Sequence, residues 1–297
     1  GQAPPGDDYL ILGHESLGRV AEAPDGSGFA PGDLIVGIVR RPDPVPCANC
    51  AAGEWDMCRN GRYTERGIMA RHGYASERYR IHPEHAVKID AGLDRVGMLL
   101  EPTTVVAKAW EHTERIGSRA VWEPKRVLVA GAGPVGLLAA LLGVQRGLEV
   151  HVLDRATDGP KPKLVADLGA EYHTDASQVD AECDVIIECT GVPDLVVEVM
   201  EHNAHNAVVC LTGVSGLGKS LSVDIGALNR NLVLQNDVVF GSVNANRRHY
   251  EQAATALADA DRSWLEAMIS RRVPVDRYAD ALTPHDGDVK VVLELGG

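Results

Sequence analysis

The sequence predicts an α/β protein in which a doubly wound parallel sheet is joined to a second, β-rich domain. Two observations point to the sheet: from Arg126 onward, short β-branched runs alternate with helical stretches, and a glycine-rich turn follows the first of these runs. The β-rich domain is indicated by strand-like runs and Pro-Gly turns in roughly the first hundred residues. A chain of 297 residues with 45% hydrophobic content is long enough to build both.

Charge and hydropathy argue against two classes of protein. The net charge is −13 and the sequence holds no basic stripe, whereas a nucleic-acid binder needs clustered Lys and Arg to neutralise phosphates. No run approaches the ~20 apolar residues of a membrane span. The chain begins at Gly1 rather than Met, so we expect an upstream segment to be missing, which leaves open whether a targeting signal precedes it.

The cysteines indicate the redox environment. The sequence has six, and three of them lie in apolar runs: Cys183, Cys189 and Cys210. Apolar surroundings are typical of buried thiols, and unpaired buried thiols are typical of a reducing cytosol. We therefore expect a cytoplasmic protein.

A glycine-rich turn joins the first strand of the central half to a helix. The strand "RVLVA" is followed by "GAGPVG", then by the apolar run "LLAALLGVQRG", then by a second strand, "LEVHVLD". This is G-x-G-x-x-G with a strand before it, a helix after it and an acidic residue about 20 positions on, the arrangement that binds a dinucleotide. Glycines permit the close approach of a pyrophosphate, which the helix N-terminus then holds. The turn residues expected to contact the cofactor are Gly131, Gly133, Pro134, Val135 and Gly136.

The alternation continues through four more strand-bearing stretches, which gives the six strands of a doubly wound sheet. They are "LVADLGAEYHTD", "DVIIECTGV", "AVVCLTGV" and "LVLQNDVVFGSVN". Ligands of such a sheet lie outside the carboxyl ends of its strands. The residues expected to border the nicotinamide are therefore Thr190, Gly191, Thr212 and Gly213.

Asp154 and Arg155 bear on the choice of cofactor. A carboxylate at Asp154 would accept a hydrogen bond from the 2′-hydroxyl of the adenosine ribose and oppose a 2′-phosphate, which favours NAD. Arg155, the next residue, could pair with a 2′-phosphate or stack on the adenine ring. The alternative is a surface arginine without a role in cofactor binding. The sequence therefore leaves both NAD and NADP open.

A second phosphate-loop pattern, "GVSGLGKS" from Gly213 to Ser220, fits G-x-x-x-x-G-K-[ST]. That pattern binds phosphates only when a helix follows, and the next residues, "LSVDIGALNRN", begin with the alternation of a strand. We therefore expect a glycine loop near the dinucleotide, with a nucleoside triphosphatase as a distant alternative.

The stretch "LILGHESLGRV" places His14 and Glu15 after an apolar run, and "APGDLIVGIV" follows it. With this G-H-E motif the sequence resembles the zinc-dependent medium-chain dehydrogenases. The stretches "ERGIMARHGYASERY", "LLEPTTVVAKAWEH" and "LVLQNDVVFGSVNANRRHYEQAATAL" narrow the resemblance to the glucose 1-dehydrogenase branch. The resemblance covers essentially the whole chain.

The resemblance implies a division into two domains. A GroES-like catalytic domain, incomplete at its N-terminus, would comprise residues 1–110 and 246–297, and a Rossmann domain would comprise residues 111–245. The substrate site would lie in the cleft between them. Relatives form dimers or tetramers, so the resemblance also implies a homo-oligomer.

Carried over to this chain, the resemblance makes His14 a ligand of a catalytic zinc, with Glu15 and Glu101 as ligands directly or through water. Plainer interpretations are a core histidine for His14 and, for Glu101, a carboxylate that begins a helix next to Pro102. The family's first zinc ligand, a Cys or Asp, lies some tens of residues before G-H-E, and so do groups that relay the substrate proton. The proton path therefore stays unassigned.

The stretch "PDPVPCANCAAGEWDMC" contains C-x2-C-x7-C, formed by Cys47, Cys50 and Cys58. In the family that the sequence resembles, the structural zinc lobe has four cysteines. The first of them would fall at Pro44, before Cys47. Because proline cannot bind a metal, Asp43 is the candidate fourth ligand. The alternative is three free thiols in a lobe without metal.

Two residues match family positions that bind sugar hydroxyls: Glu65 in "ERGIMARHGY" and Asn244 in "GSVNANR". Carboxylate and amide groups suit vicinal hydroxyls. Asn246 is the other candidate for the sugar-binding asparagine. The alternative for either residue is an asparagine that only forms a turn. The resemblance also places His72 near the same cleft, and a structural histidine is an equally good interpretation of it.

The resemblance implies an NAD(P)-dependent oxidoreductase that oxidises an aldose, D-glucose first, at C1 to the lactone. Zinc would act as a Lewis acid on the C1 oxygen, while the chain fixes the positions of sugar and cofactor. Two alternatives remain: a zinc-dependent dehydrogenase of another sugar or polyol, and a nucleotide-binding protein without catalysis. The expected partner is a small sugar, with neither nucleic acid nor membrane.

Overall fold

The computed structural model describes residues 1–179 and 182–296. They form two units, Gly1–Thr104 with the chain from Asn244 onward, and Val105–Val243. The sequence places the borders near residues 110 and 245. At the first border the predicted and the observed position both fall inside one helix, Leu100–Gly117, where nothing in the composition marks the change.

The elements are numbered in chain order. The strands are β1 (Gly18–Arg19), β2 (Leu34–Gly37), β3 (Arg40–Arg41), β4 (Thr64–Arg66), β5 (Ala70–Arg71), β6 (Ala86–Lys88), β7 (Arg126–Ala130), β8 (Glu149–Leu153), β9 (Glu171–His173), β10 (Cys183–Glu188), β11 (Asn203–Leu211), β12 (Val238–Gly241), β13 (Ile269–Pro274) and β14 (Lys290–Glu294). The helices are α1 (Ala48–Ala51), α2 (Leu100–Gly117), α3 (Pro134–Gln145), α4 (Pro160–Asp167), α5 (Pro193–Glu198), α6 (Ile225–Gln235), α7 (Arg247–Ala258), α8 (Arg262–Ala267) and α9 (Tyr278–Leu282). Within the described ranges, no helix combines the length and the apolar character needed to cross a membrane.

The unit Val105–Val243 is built on a six-stranded parallel sheet in the order β12-β11-β10-β7-β8-β9. Its first strand, β7, lies in the middle, and the chain winds outward from it in two directions. This is the strand order of a doubly wound dinucleotide-binding fold. The predicted six-stranded Rossmann sheet is therefore confirmed.

Burial explains why these strands read as continuous apolar runs. The last four residues of β7 and of β8 are buried, and so is each residue of α3 from Gly136 to Gly143. A parallel sheet covered by helices exposes neither face to water, so its strands do not alternate. A helix that is buried on all sides is likewise apolar all round.

The stretch from residue 221 to residue 237 differs from the sequence expectation. "LSVD" is irregular and "IGALNRNLVLQ" forms α6, whereas we expected strands in "LSVDIGALNRN" and at the start of "LVLQNDVVFGSVN". The Asp224 carboxylate accepts a hydrogen bond from the Ala227 N–H at 3.0 Å and caps the helix. Beyond this cap the apolar residues recur three and four positions apart, which outweighs the short strand-like alternation before it. Asn236, with a positive φ of 58°, ends the helix before β12 begins.

The other unit holds three small sheets, β1-β2-β6, β3-β4-β5 and β13-β14. The central strand of the first, β2, is fully buried between two antiparallel neighbours. Helix α7 packs against β6, and the buried Tyr250 hydroxyl accepts a hydrogen bond from the Val39 N–H at 3.1 Å. The predicted β-rich domain is thus built from both ends of the chain.

Candidate functional site

Three metal-binding side chains come together in the unit that contains both chain ends. His14 and Glu15 lie on the segment before β1, and Glu101 lies in the first turn of α2. One ligand atom from each lies within 4.8 Å of the other two. An imidazole and two carboxylates are a donor set that suits Zn²⁺. The structure therefore brings together the residues that the sequence assigns to the catalytic zinc.

The charge balance of this cluster also fits a cation. The pKa of Glu101 is raised to about 8, mainly by burial and also by the carboxylates of Glu15 and Glu65, while Lys290 acts in the opposite direction. Glu15 forms an ion pair with Lys290 at the start of β14. Negative charge gathered in a partly buried site is costly, and a divalent ion would compensate it. Lys290 was missed in the sequence because it lies near the opposite end of the chain from its partner.

Glu65 and Asn244 are joined by a hydrogen bond beside this cluster. Asn244 Nδ2 donates to Glu65 Oε1 at 2.7 Å, and Arg40 Nε donates to the same oxygen at 3.0 Å. Glu65 is buried on β4, and its charge acts on Glu101. The two residues predicted to bind sugar hydroxyls therefore lie together near the predicted zinc ligands. Arg40 was not predicted, because an arginine on a short strand carries no signal until its partner is known.

Asn246, the rival of Asn244, has a structural role. Its side chain caps α7, and Nδ2 donates to Glu54 Oε2 at 3.0 Å and to Asp56 Oδ1 at 2.9 Å. Asn244 instead has a positive φ of 61°, a conformation in which asparagine is enriched. The geometry thus favours Asn244 over Asn246 as the sugar-binding residue.

His72 is also held by structural contacts. Its Nδ1 accepts a hydrogen bond from the Ile11 N–H at 3.1 Å, and its Nε2 lies 3.0 Å from Asp7 Oδ2. Its ring stacks on Tyr9 with 5.0 Å between the ring centroids. These contacts anchor the segment before the G-H-E motif.

Three thiols form a second candidate metal centre. One sulfur each from Cys47, Cys50 and Cys58 lies within 4.8 Å of the other two. The backbone N–H groups of Arg59 and Cys50 lower the pKa of Cys47 to about 6, whereas burial raises the pKa of Cys50 to about 11. A thiolate next to two further thiols suits a structural zinc.

Asp43 lies near these thiols, but its carboxylate has other partners. Oδ1 accepts a hydrogen bond from the Val45 N–H at 2.8 Å, and Oδ2 accepts one from Asn60 Nδ2 at 2.9 Å. Among the described residues the thiol cluster comprises the cysteines without Asp43. Each oxygen keeps a further lone pair beside its hydrogen bond, and the role of Asp43 as fourth ligand stays a prediction.

The glycine-rich turn has the shape that a pyrophosphate needs. Gly131 has a positive φ of 106°, and a Cβ on Gly136 would lie 1.8 Å from the Gly131 oxygen, so both positions require glycine. A Cβ on Gly133 would meet nothing within 4 Å, which shows open space beside it. Pro134 then occupies the first turn of α3, whose N–H groups and dipole favour a phosphate. The turn therefore fits a dinucleotide.

Asp154 binds the glycine-rich turn itself. Its Oδ2 accepts hydrogen bonds from the Ala132 N–H at 2.8 Å and from Lys161 Nζ at 2.9 Å. Burial alone would raise the pKa of Asp154, but the Ala132 N–H and Lys161 lower it below its usual value. Arg155 is exposed. Lys161 thus adds a cation next to the carboxylate expected at the ribose, and its place on α4 gave no sequence signal for this role.

The four residues expected near the nicotinamide lie at the ends of adjacent strands. Thr190 and Gly191 follow β10, and Thr212 and Gly213 follow β11. The buried Glu188 holds this edge together, since its Oε1 accepts from the N–H groups of Thr190 at 2.6 Å and Gly191 at 3.0 Å. Sequence reasoning missed Glu188, although an acidic residue that ends an apolar strand was the available signal.

The loop "GVSGLGKS" follows β11 without leading directly into a helix. The next helix, α6, begins only at Ile225, and Lys219 forms an ion pair with Asp194 on α5. The N-terminal N–H groups of α6 are therefore not presented by this loop. This geometry argues against a triphosphate site of the P-loop type.

Two family models match the chain. Residues 94–295 match the model described as glucose dehydrogenase C-terminus, and residues 1–91 match the alcohol dehydrogenase GroES-like domain. The glucose 1-dehydrogenase of Methanocella arvoryzae is 40% identical over 100% of this chain and 86% of its own length. The glucose 1-dehydrogenase of Thermoproteus tenax is 39% identical over 99% of this chain and 85% of its own length.

A solved structure agrees with these sequence relatives. Haloferax mediterranei glucose dehydrogenase, in complex with NADP, Zn and gluconolactone, matches with a TM-score of 0.90 and 31% identity over 99% of this chain and 85% of that chain. The resemblance first indicated by the G-H-E motif is thereby confirmed over both units. The chain belongs to the glucose 1-dehydrogenase family, in which a GroES-like domain of the alcohol dehydrogenases is combined with a dinucleotide-binding Rossmann domain.

Proposed function

We propose that this protein oxidises an aldose, D-glucose first, at C1 to the lactone and passes the hydride to NAD or NADP. One observation carries the proposal: within one unit, the cluster of His14, Glu15 and Glu101 lies beside the hydrogen-bonded pair of Glu65 and Asn244. The names of the relatives support it, since they are glucose 1-dehydrogenases, and the Haloferax enzyme was solved with NADP, Zn and gluconolactone.

The chain's own residues hold the metal and orient the sugar. His14, Glu15 and Glu101 would hold the zinc, which supplies Lewis acidity toward the C1 oxygen. The bond between Glu65 and Asn244 fixes both side chains before substrate arrives, so the ring hydroxyls meet groups that are already oriented. Arg40 keeps the Glu65 carboxylate in place from the other side. C1 is thereby presented for hydride loss in one orientation.

The cofactor is held by the other unit. The turn from Gly131 to Gly136 offers open space at Gly133 and helical N–H groups to the pyrophosphate. A bound NAD or NADP would supply the nicotinamide that accepts the hydride. Asp154 suits a ribose 2′-hydroxyl, and Lys161 suits a 2′-phosphate, so this position supports the use of both NAD and NADP.

The first experiment measures the formation of reduced nicotinamide by the full-length protein with D-glucose, using NAD and NADP separately. The rate is measured before a metal chelator, after it, and after Zn²⁺ is returned. We expect turnover that the chelator abolishes and Zn²⁺ restores. Absence of turnover with glucose, despite bound zinc and bound cofactor, would overturn the glucose assignment.

A panel of other aldoses and polyols separates the remaining alternatives. Turnover with a polyol but not with glucose would assign the site to that polyol. Cofactor binding without turnover on any member of the panel would assign the protein to the non-catalytic nucleotide binders.

We further propose that the protein works in the cytoplasm as a homo-oligomer. The buried thiol of Cys210, which is in no disulfide, supports a reducing compartment, and the resemblance to the medium-chain dehydrogenases supports self-association. Light scattering should give a particle mass of two or four times that of the chain under study. A monomer mass at micromolar concentration would contradict the second part of the proposal.

A further inference from the structure

A third group of metal-binding side chains lies on the Rossmann sheet, apart from the residues assigned to cofactor contacts. It comprises His151 on β8 and Glu171 and His173 on β9, and one ligand atom from each lies within 4.8 Å of the other two. The parallel register pairs His151 with Glu171, and His173 follows Glu171 by two residues, so all three project from the same face. β9 is the edge strand of the sheet, which gives solvent ions access to the group.

Two distances between the ligand atoms are close to those of a tetrahedral zinc site. His151 Nδ1 lies 3.0 Å from His173 Nε2 and 3.5 Å from Glu171 Oε2. Zn–N and Zn–O bonds of about 2.0–2.2 Å place neighbouring ligands of a tetrahedron about 3.3–3.6 Å apart. Small side-chain movements would therefore close the three atoms around one ion.

Glu149 lies beside the other ring nitrogen of His151. Its Oε1 is 3.3 Å from His151 Nε2, the nitrogen that does not face the group. His151 Nδ1 is the nitrogen that faces His173 and Glu171. A carboxylate behind the distal nitrogen of a histidine is the arrangement that orients metal-bound imidazoles in proteins.

The two imidazoles are buried while the carboxylate is exposed. His151 is 4% exposed and His173 is 5% exposed, whereas the Glu171 side chain is 66% exposed. Burial lowers the pKa of His173, which favours the neutral imidazole that a metal needs, and the exposed carboxylate keeps one side of the site open. In the metal-free chain one histidine donates a hydrogen bond to the other.

We propose that His151, Glu171 and His173 form a divalent transition-metal site, with Zn²⁺ as the preferred ion, that fastens the edge strand β9 to β8. Two nitrogen ligands and one carboxylate are a known zinc donor set, and water would complete the coordination. The site is structural, since these side chains are not among the residues assigned to sugar or cofactor.

The test counts metal ions in the whole protein. The protein and the variants Glu171→Gln and His173→Gln are stripped with a chelator, equilibrated with Zn²⁺ and separated from free ion, and zinc per chain is measured. Controls are Glu201→Gln and His205→Gln, which remove an exposed carboxylate and an exposed imidazole elsewhere in the same unit. Circular dichroism confirms that each variant folds.

We expect the unchanged protein and both controls to hold one zinc more per chain than Glu171→Gln or His173→Gln. Zn²⁺ should raise the melting temperature of the unchanged protein more than that of either variant, while kcat with sugar stays within twofold in Glu171→Gln. Equal zinc content in all five proteins would overturn the proposal. If His173→Gln does not fold, the isosteric change at the exposed Glu171 still decides between these outcomes.

Discussion

Asn244 combines a positive φ with a side chain that we propose binds sugar, and the two features can be tested separately. Its φ of 61° suits asparagine and glycine, and its amide bonds Glu65. Asn244→Gly therefore keeps the backbone and removes the amide. Loss of one hydrogen bond in the sugar site should raise the KM for glucose about tenfold, with the melting temperature within a few degrees. Steady-state kinetics at saturating cofactor measures this.

Asn236→Gly is the matched control for that variant. Asn236 also has a positive φ, 58°, but it ends α6 away from Glu65. Its replacement should leave the KM for glucose unchanged. If both variants shift KM equally, the amide of Asn244 has no specific part in sugar binding.

Lys161 is expected to set part of the cofactor preference. Its ammonium lies 2.9 Å from the Asp154 carboxylate and offsets a charge that would repel a 2′-phosphate. Lys161→Gln should therefore lower the ratio of kcat/KM for NADP to kcat/KM for NAD by about tenfold. Lys163→Gln is the control, because Lys163 on the same helix pairs with Asp167 instead. An unchanged ratio in Lys161→Gln would show that Lys161 and Asp154 do not discriminate between NADP and NAD.

Single residues were predictable from the sequence where a motif fixes their spacing. The G-H-E motif led to His14 and Glu15, and the glycine pattern led to the turn that begins at Gly131. Lys290 and Glu188 could not be found in this way. Their roles depend on partners brought near by the folded chain, through an ion pair to Glu15 and hydrogen bonds to a turn, and no local spacing records them.

The turn between β7 and α3 predicts opposite results for two glycines. Gly133 is extended and has open space, so Gly133→Ala should keep or slightly raise the stability, by up to about 1 kcal/mol. Its methyl group would fill space that the pyrophosphate needs, and the Kd for NAD(P) should rise at least ~10-fold. Gly136→Ala would press on the Gly131 oxygen and lower the free energy of unfolding by roughly 1–3 kcal/mol.

Calorimetric titration with NAD(P) and denaturant unfolding of both variants distinguish these effects. Weak binding together with full stability is expected only for Gly133→Ala. Normal cofactor affinity in that variant would place the pyrophosphate elsewhere.

His85, in the short 3-10 helix Pro83–His85, should make stability depend on pH. Its pKa is lowered to about 4, mainly by burial and also by the positive charges of Arg41, Arg71 and Arg247. As pH falls below about 6.5, His85 becomes protonated in the unfolded chain but stays neutral in the folded chain. The free energy of unfolding therefore decreases between about pH 6.5 and about pH 4. The slope from this group stays below the single-proton limit of about 1.4 kcal/mol per pH unit, because solvent screens a half-buried ring.

Denaturant unfolding at several pH values checks this contribution against His85→Gln. The variant should lose less stability than the unchanged protein over the same window. Parallel curves for the two proteins would show that His85 titrates alike in the folded and unfolded states.

Elements were predictable where their pattern is long and of one type. The parallel strands and α3 follow from continuous burial, which produces unbroken apolar runs. α6 was not predicted, because its first residues continue a strand-like alternation and its cap, Asp224, is a residue equally common in turns. The decisive contact, a carboxylate that accepts the Ala227 N–H, exists only once the helix has formed.

At the scale of the whole molecule, cofactor binding should protect one unit selectively. A dinucleotide at about 100 times its Kd stabilises the unit that binds it by about 2.7 kcal/mol. Amide exchange in β7, β10 and α3 should slow by up to about 100-fold, with little change in β2 and β6. Hydrogen exchange with mass spectrometry, with and without NADP, measures this. Equal slowing in β2 would show that the two units open together.

The division into these units was predictable only in outline. The residues between the two borders read as a Rossmann fold, but helix α2 runs across the first border without a break. Composition does not change inside a continuous amphipathic helix, so the sequence gives that border only within a few residues.

The split of the metal-binding unit between the two ends of the chain has a consequence for biosynthesis. Ribosomes complete Val105–Val243 before Asn244, Tyr250 and Lys290 are made. Domains fold largely in the order of their synthesis. The nucleotide-binding unit can therefore form before Asn244 is available to bond Glu65 and before Lys290 is available to pair with Glu15. Zinc loading at His14, Glu15 and Glu101 is therefore expected late in the synthesis of the chain, after the cofactor can already bind.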